Sequence, residues 1–93
     1  MATNNRFTKD PSAVLDYQWD WSAWLASGET ISTVTLTYTG GITENSHSNT
    51  NTTVTAWISG GLANSPDCTA ACRIVTNQNR TDERTIIIQV RDL

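Results

Sequence analysis

Leu15-Asp16-Tyr17-Gln18-Trp19-Asp20-Trp21-Ser22-Ala23-Trp24-Leu25 places three tryptophans and a tyrosine within eight positions of a small, otherwise polar chain. Leu15, Tyr17, Trp19 and Trp21 alternate with Asp16, Gln18 and Asp20, the period of two that marks a strand with one buried face. Trp24 and Leu25 continue the apolar run beyond Ser22-Ala23, so the chain is expected to bend or to make a single helical turn there. Each indole can bury on the order of 200 Å². In a chain of 93 residues such a segment either anchors the core or docks the protein on a partner, and it carries no reaction chemistry.

Outward from this stretch the same period recurs. Residues 13–21 form the first predicted strand, and Ser27-Gly28-Glu29 turns the chain. Over 30–38, Val34, Leu36 and Tyr38 face one way and Thr33, Thr35 and Thr37 the other, a distribution that suits a half-exposed sheet. Gly40-Gly41 breaks this strand, and residues 42–48 read as a short polar edge strand. Over 52–58, Val54, Ala56 and Ile58 alternate with Thr53, Thr55 and Trp57; Ser59-Gly60-Gly61 ends the run. Pro66 interrupts a loop. Residues 67–76 place Cys68, Ala70, Cys72 and Ile74 on one face. Asn77-Gln78-Asn79-Arg80 is a hairpin turn into a last strand over 81–90, with Ile86, Ile88 and Val90 inward. Short strands with turn signals every eight to twelve residues predict an all-β fold: a single Ig-like antiparallel β-sandwich of about six or seven strands. Its expected core joins Trp57 or one of the N-terminal tryptophans to Val34, Leu36, Cys72, Ile74, Ile86 and Ile88. Residues 1–12 are polar, end in Asp10-Pro11, and read as an N-terminal arm; residues 13–93 read as the sandwich domain.

Composition narrows the function. Net charge is −3 and there is one lysine, Lys9, so no basic patch favours nucleic acid. Arg73, Arg80, Arg84 and Arg91 are interleaved with Asp82, Glu83 and Asp92 and read as a solvated mixed-charge face. No run of about 20 apolar residues predicts a membrane span. The polar N-terminus lacks the apolar centre of a secretion signal, so export by that route is not expected. On one strand, Cys68 and Cys72 would stand about 13 Å apart, too far for a disulfide, and they read as small core residues. A zinc site would need two further soft ligands, where only His47 is at hand. His47 itself reads as a solvated side chain in a Ser/Asn loop. No serine sits in a nucleophile motif, neither Gly-Gly pair is a phosphate loop, and Asp16/Asp20 and Asp82/Glu83 read as exposed strand carboxylates. No catalytic residue, cofactor or metal is expected, and the chain reads as a non-enzyme.

Several segments together resemble a family of small tailed-bacteriophage virion proteins described as fibre–tail adaptor or neck-region proteins. They are Lys9-Asp10-Pro11, Val14-Leu15-Asp16-Tyr17, Asp20-Trp21-Ser22, Trp24-Leu25 with Gly28-Glu29-Thr30-Ile31, Trp57-Ile58-Ser59-Gly60-Gly61, and Arg80-Thr81-Asp82-Glu83-Arg84. The order and spacing of these segments carry the resemblance over nearly the whole chain. The stretch after Gly60-Gly61 departs from it, with Cys68 and Cys72 where the family has a tyrosine-containing strand. The resemblance implies an Ig-like sandwich in the neck or tail of a virion assembled in the host cytoplasm, with other virion proteins as partners and a homo-oligomeric ring as its state. On that footing Tyr17, Trp19, Trp21, Trp24, Lys9 and Asp10 are the expected interface residues, and Trp24→Ala is expected to fold yet assemble poorly. Two other readings compete. A capsid decoration protein would use the same kind of sandwich. A carbohydrate-binding module would use exposed tryptophans as stacking platforms.

Overall fold

The computed structural model of the chain describes residues 5–62 and 67–92. Seven strands follow in order: β1 (Asn5–Lys9), β2 (Leu15–Asp20), β3 (Ile31–Thr39), β4 (Ile42–Asn49), β5 (Thr53–Gly60), β6 (Cys68–Thr76) and β7 (Thr81–Val90). They make two sheets, one ordered β1-β7-β6-β3 and the other β2-β5-β4. The side chains of both meet in one core, so the fold is an all-β sandwich.

Each strand forms where the apolar residues fall at every second position. On β5 the residues Val54, Ala56 and Ile58 are fully buried, as are Cys68, Ala70, Cys72 and Ile74 on β6. Ile86, Ile88 and Val90 line β7. Both cysteines are free thiols on the inner face of β6, and burial pushes the Cys72 thiol up to about 12. Between β2 and β3 the chain makes the expected single helical turn, with the Leu25 amide donating to the Trp21 carbonyl at 3.0 Å.

Two features differ from the sequence expectation. The segment 1–12 is not wholly an arm. Asn5–Lys9 pairs with β7 from Asn5↔Ile86 to Lys9↔Val90, and in parallel, so the sandwich is not purely antiparallel. The polarity of this stretch hid an edge strand, because β1 contributes few buried side chains. Leu15, the first residue of the aromatic alternation, remains exposed at the end of β2. Of the two alternatives for the core tryptophan, the N-terminal one holds: Trp19 and Trp21 are buried, and Trp57 points outward from β5. Pro66 and its neighbours 63–65 lie outside the described residues.

Candidate docking surface

The side chains expected to form an interface take different positions. Tyr17, Trp19 and Trp21 point between the sheets and are core residues. The alternation in β2 put them on one face, and in an edge strand of a two-layer fold that face is the inner one. Lys9 is also fully buried. Its ammonium donates to the carbonyl of Asp10 at 2.9 Å and to that of Gly60 at 2.8 Å. Burial pulls the Lys9 pKa below the usual lysine value, against the opposing charge of Asp10. Asp10 shapes the turn between β1 and β2: its side chain accepts from the Ser12 amide at 2.8 Å and its carbonyl from Ala13 at 3.0 Å. Asp at the first position followed by Pro is the residue choice that favours such a turn.

The large apolar side chains that the described residues leave exposed are Phe7, Val14, Leu15, Trp57 and Leu62. Phe7 belongs to β1, an edge of one sheet, and Leu15 to β2, an edge of the other. The two edges meet where the Phe7 ring packs edge-on against Tyr17, centroids 5.1 Å apart. Leu15 pairs with Ile58 and Asp16 with Trp57. Val14 precedes this pairing and Leu62 follows β5 beyond it, at the same end of the sheet. One side of the sandwich thus has two strand edges and an apolar fringe. The opposite side, where β3 passes β4, is closed by a polar contact: the Tyr38 hydroxyl donates to Glu44 at 2.7 Å, and Glu44 meets His47 at 2.8 Å.

Two constellations escaped the sequence reading. Trp21 donates through Nε1 to Asp82 at 2.9 Å, and the Arg84 guanidinium lies over its ring at 4.9 Å. Arg84 in turn lies 3.4 Å from Asp82. Nearby, the Arg80 guanidinium stacks over half-buried Trp24 at 4.0 Å and pairs with Glu29 through two nitrogens. The Glu29 carboxylate is buried, and also accepts from the Thr76 hydroxyl at 2.6 Å and from the Ala26 amide at 2.9 Å. Arg80, still partly solvent-exposed, and Arg84 are therefore held in specific structural contacts, beyond the solvated mixed-charge face expected of them. The available signal was the pair of segments Gly28-Glu29-Thr30-Ile31 and Arg80-Thr81-Asp82-Glu83-Arg84, whose charged residues face one another only after folding.

Arg80 first, then Thr76, hold the Glu29 carboxyl at about 2, well below the ordinary glutamate value. A depressed carboxyl stabilises the fold fully above its unfolded pKa, about 4.3, and loses that contribution as pH falls toward the folded value. The urea midpoint is expected to drop between about pH 4.3 and pH 2. In Glu29→Gln this part of the acid dependence is expected to disappear. An equally steep profile in the variant would show that the clamp does not control acid stability.

The described residues contain no group of three or more His, Cys, Asp and Glu placed to hold a metal, and no helix among them is long and apolar enough to cross a membrane. What the fold offers is a small β-sandwich with an internally braced end and an apolar open side, the form of a binding or assembly module. The chain matches the family model of the podophage GP4 fiber-tail adaptor protein gp77 over residues 9–89 and belongs to that family. It is a structural component of a phage virion, an adaptor between fibre and tail. No curated protein matches the chain. The family match begins at Lys9 and spans both Trp–Arg constellations.

Proposed function

We propose that this chain acts as a non-enzymatic adaptor that seats against neighbouring virion proteins through the open β1/β2 side of its sandwich, as one member of a homo-oligomeric ring. One observation carries the reading: Phe7, Val14, Leu15, Trp57 and Leu62 lie on β1, on and just before β2, and on and just after β5, which pairs with β2. An apolar patch beside unpaired strand edges is a surface that partners cover. The residues expected at the interface keep a part in it. Lys9 and Asp10 fix the turn that presents Val14 and Leu15, and Tyr17 supports Phe7 from below. Trp24 lies at the far end of the sandwich and is available for a second contact. A 93-residue domain buries a modest share of its surface by itself, and neighbours in a ring add stability by mass action.

The test is to supply Leu15→Asp and Leu62→Asp in place of the native chain during phage growth and to quantify the protein in purified particles by mass spectrometry. Leu62 is 71% exposed, so Leu62→Asp is expected to change folding stability by less than about 1 kcal/mol, while Leu15, 39% exposed at the end of β2, is checked by a parallel melt. Occupancy is expected to fall about tenfold or more, the effect of losing one anchoring contact. Full occupancy in both variants would move the docking surface elsewhere.

A further inference from the structure

The chain builds the same three-part unit twice: an indole, a guanidinium stacked on it, and a carboxylate that pairs with the guanidinium. Trp24, Arg80 and Glu29 form one unit, and Trp21, Arg84 and Asp82 the other. A third indole and carboxylate stand side by side without a cation among the described residues. Trp57 projects from the middle strand of the three-stranded sheet, 45% exposed, while Ala56 and Ile58 on either side of it are fully buried. Asp16 is its partner across β2, and directly opposed residues of an antiparallel pair hold their Cβ atoms about 5 Å apart. Across β4 the neighbour is Ser46. Apart from Asp20 at the far end of β2, the neighbouring side chains Gln18, Thr55, Ser59 and Asn45 are hydroxyl and amide, with Gln18 bonded to Thr55 at 3.5 Å and Ser59 to Asn45 at 2.7 Å.

We infer that Trp57 and Asp16 receive an arginine side chain from another virion protein, which completes the third unit at the interface. The inference rests on the adaptor reading and names one partner group for it. A guanidinium fits because its flat face stacks on an indole while its edge donates two parallel hydrogen bonds to a carboxylate, which an ammonium does less well. Charge complementarity points the same way, since the face carries Asp16 and Asp20 and the chain has a net charge of −3. A second copy of this chain is a poor donor. Arg6 pairs with Asp67, Arg80 with Glu29 and Arg84 with Asp82; Arg73 stands opposite Glu83, Arg91 lies within the field of Asp67, and Lys9 is buried. Arg6, Arg80 and Arg84 already hold an acid, so docking them on another copy would break a contact to make one.

The experiment places a photoreactive benzoylphenylalanine at Ser46, beside Trp57, in the full chain incorporated into phage particles, and maps the cross-linked peptide by mass spectrometry. The expected product joins position 46 to a different virion protein within a few residues of an arginine. Trp57→Ala and Asp16→Asn, both on the outer face and expected to melt within a few degrees of the parent, should each lower the yield about fivefold or more, with Trp57→Phe between. Exchanging charges, Asp16→Arg here and aspartate for the arginine on the partner, should restore it. The inference is overturned by a cross-link to a second copy, by a partner segment without arginine, by yields indifferent to Trp57 and Asp16, or by no cross-link while the chain is present in particles. Absence of the unaltered chain from particles would instead sink the adaptor reading itself.

Discussion

Trp21→Ala is expected to lower the stability of the domain by about 3–5 kcal/mol, the cost of removing a large buried aromatic. The indole is fully buried where β2 leaves its sheet, and its Nε1 holds the Asp82 carboxylate at 2.9 Å while its face carries Arg84. Truncation leaves a cavity and also removes a donor from an acid that sits partly buried beside Arg84. A domain of this length has about 5–14 kcal/mol of total stability, so the variant is expected to retain little of it. A fall in melting temperature of about 15 °C or more should follow. Trp57→Ala, measured alongside, should shift the melt by only a few degrees because its ring is outward-facing. Equal effects of the two substitutions would show that the assignment of core and surface tryptophans is wrong. Asp82→Asn tests the charge separately, since the amide keeps an acceptor for the indole and loses the charge facing Arg84.

Gly40→Ala is the second severe case, with an expected loss of about 2–5 kcal/mol from left-handed backbone strain plus a clash. Gly40 has φ +88°, and a Cβ there would fall 2.5 Å from Cys68 Sγ and 2.9 Å from Cys68 Cα. The backbone atom cannot swing aside, and the thiol already donates to the Gly40 carbonyl at 3.2 Å. The crossing from β3 to β4 can therefore pass β6 only as glycine. Gly41 supplies the internal control. It has φ +85°, but a Cβ there meets nothing within 4 Å. Gly41→Ala should show the strain alone, about 1–2 kcal/mol. Chemical denaturation of both variants separates the two contributions. If they lose the same amount, the close approach to Cys68 does not matter. In Gly40→Ala/Cys68→Ala only part of the loss should return, because the Cys68 Cα stays in place.

Both cases bear on how far the chain can be read without its fold. The alternation in β2, β5 and β7 was legible because a two-layer sheet fold buries every second side chain, and this is a local property of each strand. The turns at Gly40-Gly41 and Asn77–Arg80, the placement of both cysteines on one inner face and the separation of threonine from aliphatic faces on β3 follow from the same local rule. The order of the short motifs was enough to indicate the adaptor family, which the match over residues 9–89 shows.

What the fold alone decided are the properties that depend on which distant residues meet. Alternation says that Tyr17, Trp19 and Trp21 share a face but not whether that face looks inward, and the packing of the second sheet turned them from expected anchors into core. β1 lacked an apolar pattern, so its pairing with β7 became visible only with its neighbour in place. Lys9 looks like a surface cation in the sequence, yet two carbonyls 2.9 and 2.8 Å from its ammonium make its burial tolerable. Glu29 and Arg80 are 51 positions apart, and their pairing requires the β2–β3 turn and the β6–β7 hairpin to arrive at the same end of the sandwich. Local sequence determines periodicity and turn chemistry, because each depends on neighbours in the chain. Which aromatic is covered, which charge is paired and which edge stays open are set by contacts between segments remote in sequence, and those exist only once the two sheets have packed.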